Sequence, residues 1–505
     1  MERRTLLAVI LSVFILILWQ NMFMPKRKRI VKKEIRTKAE EPYQHKERKV
    51  RLEKIPEAEI RVKTENSEIA FTSKGGSIIG WELKERIGKI NIVNPESPLP
   101  ERLQIETVPD IAEREFKTDT SRIKQGEIVF TTILDGLFIE KRFIFQERGY
   151  EHLLEIVLEN RKETGIKIGD VRYIWEGKVG DEKERKGIKN NVTALVNKKF
   201  FKNPDSEDLS GKVRWIALGS QYFMVSFLNQ EVHFNRGIAG KQTREDLPYM
   251  GLVKSDVFLS PGQKQRYRIK LFVGPKRYRL LKKSGEMMEK SIDFGLFSFL
   301  SVLFLHALTF FHKLTGNYGW SIILMTCFIQ LFLSPLSRKS YKSMHAMKRL
   351  QPKIEALRIK YKDDPKRLNI EMMNLYKSAK VNPFGGCLPM LLQLPIFWAL
   401  FMMLRNAVEL RKAEFIFWVK DLSNPDTLFR IGGLPLNVLP LLMGISMLVQ
   451  QKITTTDPSQ SKMMMFMPIL FTFIFWNFPS GLVLYWLVNN ILSILHQWLL
   501  VKKMS

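Results

Sequence analysis

Cysteine is nearly missing from this chain. Cys327 and Cys387 are the two it has in 505 residues, and both fall in or beside apolar runs. That excludes a disulfide framework and suits small buried side chains better than a redox role. Catalytic spacings are missing as well. No HExxH occurs, the seven histidines do not cluster, and no GxxxxGK[ST] phosphate loop is present; "GIAGKQT" comes nearest but has Asn235 where the first glycine should stand. The sequence therefore offers no metal-ligand set, no cofactor cradle and no catalytic pair, and an enzyme is not the reading. Acidic residues are scarce beside basic ones, 51 against 80, for a net charge of +29. Such a surplus suits nucleic acid, anionic lipid, or the cytoplasmic loops of a membrane protein. No RRM-like, zinc-knuckle or helix-turn-helix signature occurs, so sequence-specific nucleic acid drops out as a partner.

What the chain does have is long apolar runs, one at the N-terminus and several after residue 290. Residues 5–24 follow a basic MERR. Their apolar part is too long for a signal-peptide core, and no small-residue cleavage site follows, so the stretch reads as an uncleaved transmembrane anchor with Trp19 at the interface. Residues 25–55 form a charged tether. From 56 to 277 the period is two. "EIVFTTILDGLFIEKRFIF" is a pair of strands around Asp135-Gly136, "EIAFTSKGGSIIGWEL" repeats the pattern around Gly75-Gly76, and "GKVRWIALGSQYFMVSFL" and "RYRIKLFVGP" add more. About 220 residues of such pattern predict a large β-sandwich.

Spans are expected at 319–336, 388–408, 437–452, 464–478 and 482–501. The region 284–318 is ambiguous. Ser291, Gly295, Ser298, Ser301, His306, Thr309 and His312 gather on one side of a helical wheel, so an interfacial helix competes with a spanning one. Residues 337–386 carry 13 Lys and Arg against four Asp and Glu, and two apolar stripes at helical spacing flank Asp364-Pro365. That predicts a basic helical hairpin. The loop 405–436, with five basic and four acidic residues, is far more balanced. The hairpin and C-terminus are therefore expected on the cytoplasmic side. If the 284–318 helix spans, there are seven crossings and the β domain is cytoplasmic. If it lies in the interface, there are six and the β domain is outside. Charge leaves both open.

Three blocks, "GNYGWSIILMTCFIQLFLSPLSRKSYKSMHAMKRLQPKIEALR", "KVNPFGGCLPMLLQLPIFWALFMML" and "FMPILFTFIFWNFPSGLVLYWLVNN", resemble the YidC-type membrane protein insertases in order and spacing. The resemblance implies an inner-membrane protein of a bacterium with two membranes. Its fold would be an α-helical core of five transmembrane helices plus an N-terminal anchor helix, with a periplasmic all-β supersandwich domain and both termini cytoplasmic. The 284–318 helix would lie in the interface, which selects the six-span reading. The implied activity is insertion and folding of nascent membrane proteins, alone or with the Sec translocon, through a hydrophilic groove open to the cytoplasm. Membrane lipids, the ribosome and the signal recognition pathway are further candidate partners. A polytopic secondary transporter is the alternative, disfavoured because no internal repeat and no mid-depth charge is evident.

A groove that carries water into the bilayer needs hydrogen-bonding walls, because each unsatisfied polar group in hydrocarbon costs several kcal/mol, about 4–8 by alkane transfer. Thr326 and Gln330 share a helix face, and Trp486 stands three and four residues before Asn489 and Asn490. With Gln451, these six are the expected groove lining. The resemblance implies an arginine five residues before Pro335, and this chain has Gln330 there. Met402, Met403, Met463, Met464, Met465 and Met467 are candidates for a flexible apolar slide. Arg338, Lys348, Arg349 and Lys353 on the hairpin are the expected cytoplasmic partner contacts.

Overall fold

A computed structural model describes residues 60–504, apart from 87, 94–98, 181–189, 205–208, 230, 232, 242–246, 380, 382–387 and 455–457. The expected anchor at 5–24, the tether at 25–55 and Cys387 lie outside the described residues.

The alternating pattern of the first half folds into three antiparallel sheets of four, five and nine strands. The nine-stranded sheet runs from Lys199–Lys202 at one edge to Lys117–Asp119 at the other. Turn chemistry sets the register of the hairpin beside the Lys117–Asp119 edge. Glu127–Leu134 pairs with Leu137–Ile144, closing with Leu134 opposite Leu137. Asp135 and Gly136 both have positive φ, at 45° and 75°, as a two-residue primed turn requires. Gly75 and Gly76 also have positive φ, at 68° and 53°, as the last two residues of a four-residue loop between the paired Thr72 and Ser77.

Among the largest fully buried side chains, beside Trp81, Trp175 and Trp215, is a lysine, Lys141. Its ammonium donates to Glu101 Oε1 at 2.8 Å and to the Gly75 carbonyl at 3.2 Å, while Glu101 Oε2 accepts from the Ile78 amide at 3.1 Å. Lys141 belongs to the nine-stranded sheet, Glu101 to the five-stranded and Ile78 to the four-stranded. One buried ion pair thus joins all three sheets. Burial pushes the Lys141 ammonium below its ordinary pKa, and the Glu101 charge opposes that.

The second half is helical: α1 Tyr278–Ser284, α2 Ser298–Thr315, α3 Tyr318–Lys360, α4 Pro365–Ser378, α5 Leu388–Asn406, α6 Val438–Thr454, α7 Pro458–Phe475 and α8 Ser480–Met504. Among the described residues, α2, α3 and α8 are long and apolar enough to cross a membrane, and shorter apolar helices lie at Val438–Ile453 and Phe466–Phe475. The first expected span and the first arm of the basic hairpin are one helix of 43 residues, passing Pro335 and Pro352. Asp364 caps α4 by accepting from the Arg367 amide at 3.0 Å, with Pro365 at the first helical position.

The wheel reading of α2 needs correction at Ser301. It is fully buried and donates to Ala399 O of α5 at 2.9 Å, so it serves helix packing rather than a polar surface. The opposite side of α2 is an exposed apolar row, with Phe299 at 80% and Leu314 at 67% exposure and Leu303 and Phe310 between them. The β domain is fastened to the helices through the Arg405 carbonyl at the end of α5. It accepts from Gln221 Nε2 and, at 3.2 Å, from Tyr222 OH.

Breaking the buried pair on one side should be costly, because the survivor is a stranded polar or charged group. Glu101→Gln is expected to destabilise the β domain by about 3–5 kcal/mol. The double replacement Glu101→Leu with Lys141→Met should cost clearly less. Protease-resistance midpoints of the β domain in the full chain, measured against denaturant, check the order; equal losses in both variants would contradict it.

Candidate functional site: a polar seam along the last helix

α8 presents a row of polar side chains in an otherwise apolar helix: Tyr485, Asn489, Asn490, Ser493, His496 and Gln497. The spacing of three and four puts them on one broad face. From 485 to 497 the row is about 18 Å long at about 1.5 Å per residue, more than half a hydrocarbon core of about 30 Å.

Five of the six bond to residues of three neighbouring helices, α3, α5 and α6. Gln393 of α5 donates to Tyr485 OH at 2.8 Å. Gln330 of α3 donates through Nε2 to Asn489 Oδ1 at 2.8 Å and to Ser493 Oγ at 2.9 Å. Asn490 donates to Ser446 Oγ of α6 at 3.0 Å, and Gln497 to the Ile453 carbonyl of the same helix at 3.3 Å. Tyr341 meets the His496 ring edge-on at 5.8 Å, so α3 and α8 remain in contact at that end. Buried polar groups inside such a bundle must be paired, and here helix is paired to helix.

The expected lining divides under this geometry. Gln330 and Asn489 are half-buried and bonded to each other. Thr326 is a correction: it is fully buried and donates to Ile322 O of its own helix at 2.7 Å, the usual way a threonine satisfies itself within a helix. It packs α3 and lines nothing. Asn490, 4% exposed, serves as an interhelical tie. The supposed common face of Trp486 with the two asparagines is also corrected. Trp486 turns toward α5 and α7, its ring 4.7 Å from Phe397, 5.3 Å from Phe475 and 6.0 Å from Phe471. Three consecutive demands of one helical turn are met by three different neighbours. Gln451 is half-buried near the end of α6.

Sequence reading missed Ser493, Gln497, Gln393 and Tyr485. A signal for two of them existed, since 489, 493 and 497 recur every four residues. Gln393 and Tyr485 are far apart in sequence and show no shared pattern. Of the methionines, Met403 is fully buried and Met467 is exposed beside Phe466 and Ile469; the side chains of Met463, Met464 and Met465 lie outside the described residues. Arg338, Lys348, Arg349 and Lys353 are all exposed along α3. Among the described residues no cluster suited to a metal ion occurs.

Residues 59–307 match the YidC periplasmic domain, and residues 310–505 match the family described as the 60Kd inner membrane protein. A protein of Endomicrobium trichonymphae named membrane protein insertase YidC is 41% identical over 466 residues, covering 88% of this chain and 86% of the relative. One of the same name from Geotalea daltonii is 35% identical over 541 residues, covering 98% of each. A crystal structure described as an active YidC insertase with its first transmembrane domain resolved aligns with 87% of this chain and 92% of its own, at 21% identity and a TM-score of 0.39.

The Gln330–Asn489 bond should register as a modest coupling. In a cycle of Gln330→Ala, Asn489→Ala and the double variant, the interaction energy is expected near 1 kcal/mol, about the size of other interhelical hydrogen bonds in bilayers. Thermal unfolding in detergent measures it. Strict additivity of the two single losses would contradict the contact.

Proposed function

This chain belongs to the YidC family and is a membrane protein insertase, and from that premise we propose that the seam between α3 and α8 is the wall along which a client's polar segment moves. The observation that carries the reading is the half-buried Gln330 bonded to Asn489 and Ser493. Amides and hydroxyls that exchange partners can solvate a passing backbone without a deep binding well. They offer what hydrocarbon lacks, and so lower the cost of the dry distance. Among the described residues, Gln497 Oε1 and His496 Nε2 are buried without a protein partner. They lie toward the Lys502 end of α8, where water admitted from the cytoplasm would satisfy them.

The topology in this proposal has five core spans and an N-terminal anchor, with α2 in the interface and the β domain in the periplasm. Both termini face the cytoplasm. Two observations support it. The exposed row on α2 from Phe299 to Leu314 would be costly in water and suits lipid. The basic cluster on α3 and α4 obeys the positive-inside rule. Exposed Phe466, Ile469, Leu470 and Phe473 on α7 give an apolar flank on which a client's hydrophobic segment could slide. Arg338, Lys348, Arg349 and Lys353 would meet partners at the cytoplasmic surface, the ribosome and signal recognition pathway among them. The Sec translocon is the partner proposed for clients that need it. The family is one of insertases, so the transporter alternative is set aside.

Gln330 is neutral, so the wall attracts no particular tail charge at that point. Placing a cation there should change selectivity. At about 7 Å and an effective dielectric near 20, a single attraction is worth about 2 kcal/mol. In reconstituted vesicles, Gln330→Arg is expected to raise insertion of a client with an acidic translocated tail over one with a neutral tail, by up to about thirtyfold. The native chain should insert the two about equally, and Gln330→Ala should lower both alike. A native preference for acidic tails, abolished by Gln330→Ala, would contradict the proposal.

A further inference from the structure

A cleft of about 1540 Å³ lies where the β domain, the first turn of α2, the Asn406 end of α5 and the loop before α8 meet. Its lining holds five lysines and arginines against two acids, Glu289 and Asp293. Asp293 is already engaged by Lys202 at 2.5 Å. The cleft therefore keeps a surplus of positive charge.

Lys276 is the unusual member. It is only 9% exposed, and its ammonium donates to the Ser220 carbonyl at 2.7 Å, with no ion pair to a carboxylate among the described residues. A buried cation without an anion is costly. Burial pulls its pKa down to about 8, with the nearby Asp293 carboxylate opposing the shift and the Lys202 ammonium adding to it. Arg405, at the end of α5, leans over the Phe401 ring at 5.8 Å. Ser298 and Phe299 of the first α2 turn also line the cleft, and Phe297 in the capping position supplies no side-chain acceptor. The positive end of an 18-residue helix thus adds to the cationic side chains.

The apolar part of the lining points to what the anion is attached to. Phe299 and Val302 border the cleft, and the neighbouring Leu296 and Leu303, which are not part of its lining, add exposed apolar surface next to them in the chain. Cations and helix N–H groups at one end, with a greasy strip leading off, match a phosphate that carries hydrocarbon chains. A soluble phosphate would leave the strip bare. An acidic peptide would meet the charge but has no need of the strip.

We propose that this cleft binds the phosphate headgroup of an anionic phospholipid of the outer leaflet, with the acyl chains along Leu296, just before α2, and Phe299 and Leu303 of α2. The inference rests on the interfacial placement of α2 given above. Lipid held there would brace the junction between the β domain and the ends of α5 and α8.

The test uses the full chain in detergent, titrated with phosphatidylglycerol or phosphatidylcholine and read by native mass spectrometry. Phosphatidylglycerol is expected to bind at least tenfold more tightly. Lys276→Gln and Arg405→Gln should each weaken it at least fivefold and leave phosphatidylcholine unchanged, so the proposal does not depend on one variant folding. Affinity should fall between pH 7 and 9 as Lys276 loses its proton, and Lys276→Gln should flatten that dependence. Inorganic phosphate and an acidic peptide serve as competitors. Equal binding of the two lipids, or displacement of phosphatidylglycerol by either competitor at matching concentration, would overturn the proposal. A nitroxide at Phe310→Cys, with Cys327→Ser and Cys387→Ser, reports separately whether α2 lies in lipid. Lipid contact without phosphatidylglycerol preference sinks the cleft alone, whereas absence of lipid contact sinks the interfacial placement.

Discussion

Hydrocarbon offers no hydrogen bonds, and most of what is distinctive in the helical half of this protein answers that fact. Every polar side chain kept inside the bundle needs a partner from the protein or from water. α8 meets the demand by dividing its polar face among α3, α5 and α6, through Gln330, Gln393 and Ser446. The same bonds that hold the bundle together form a ladder of amides and hydroxyls. Under the proposed function, packing and client passage would draw on one set of residues: rungs of about 1 kcal/mol help assemble the helices and would yield to a passing chain.

The β half solves a different problem with a related device. Three sheets are held together by close-packed apolar faces and one buried ion pair. Lys141, Glu101 and the backbone around Gly75 penalise other arrangements, because a displaced pair would leave a buried charge uncompensated. The domain is then tied to the bundle through the Arg405 carbonyl, beside a cleft rich in cations. A rigid outer domain fastened to a bundle of modest interhelical bonds is a sensible division for a protein whose membrane part must admit clients.

Much of this was legible from the residues alone, and the limits have physical causes. Hairpins at Asp135-Gly136 and Gly75-Gly76 were readable because tight loops, two residues in the first case and four in the second, demand positive φ, which few residues supply. Asp364-Pro365 was readable because capping is local. Gln330 was legible as a polar residue needing a partner, and the family resemblance marked its position. Where each side chain points was another matter. Thr326 shares a face with Gln330 on a wheel, yet its short hydroxyl reaches only its own backbone. Trp486, Asn489 and Asn490 look like one face, yet helices packed on three sides pull them apart. Ser301 looked like surface because sequence cannot show that α5 covers it. Such outcomes depend on helix rotation and neighbours distant in sequence.

The central claim is that the Gln330–Asn489 wall touches the client while Thr326 does not. Site-specific photocrosslinking to a ribosome-stalled nascent membrane protein measures this directly. Probes at 330 and 489 should give client adducts, and one at 326, inside the packed α3 interface, should give none. Adducts from 326 with none from 330 or 489 would contradict the account.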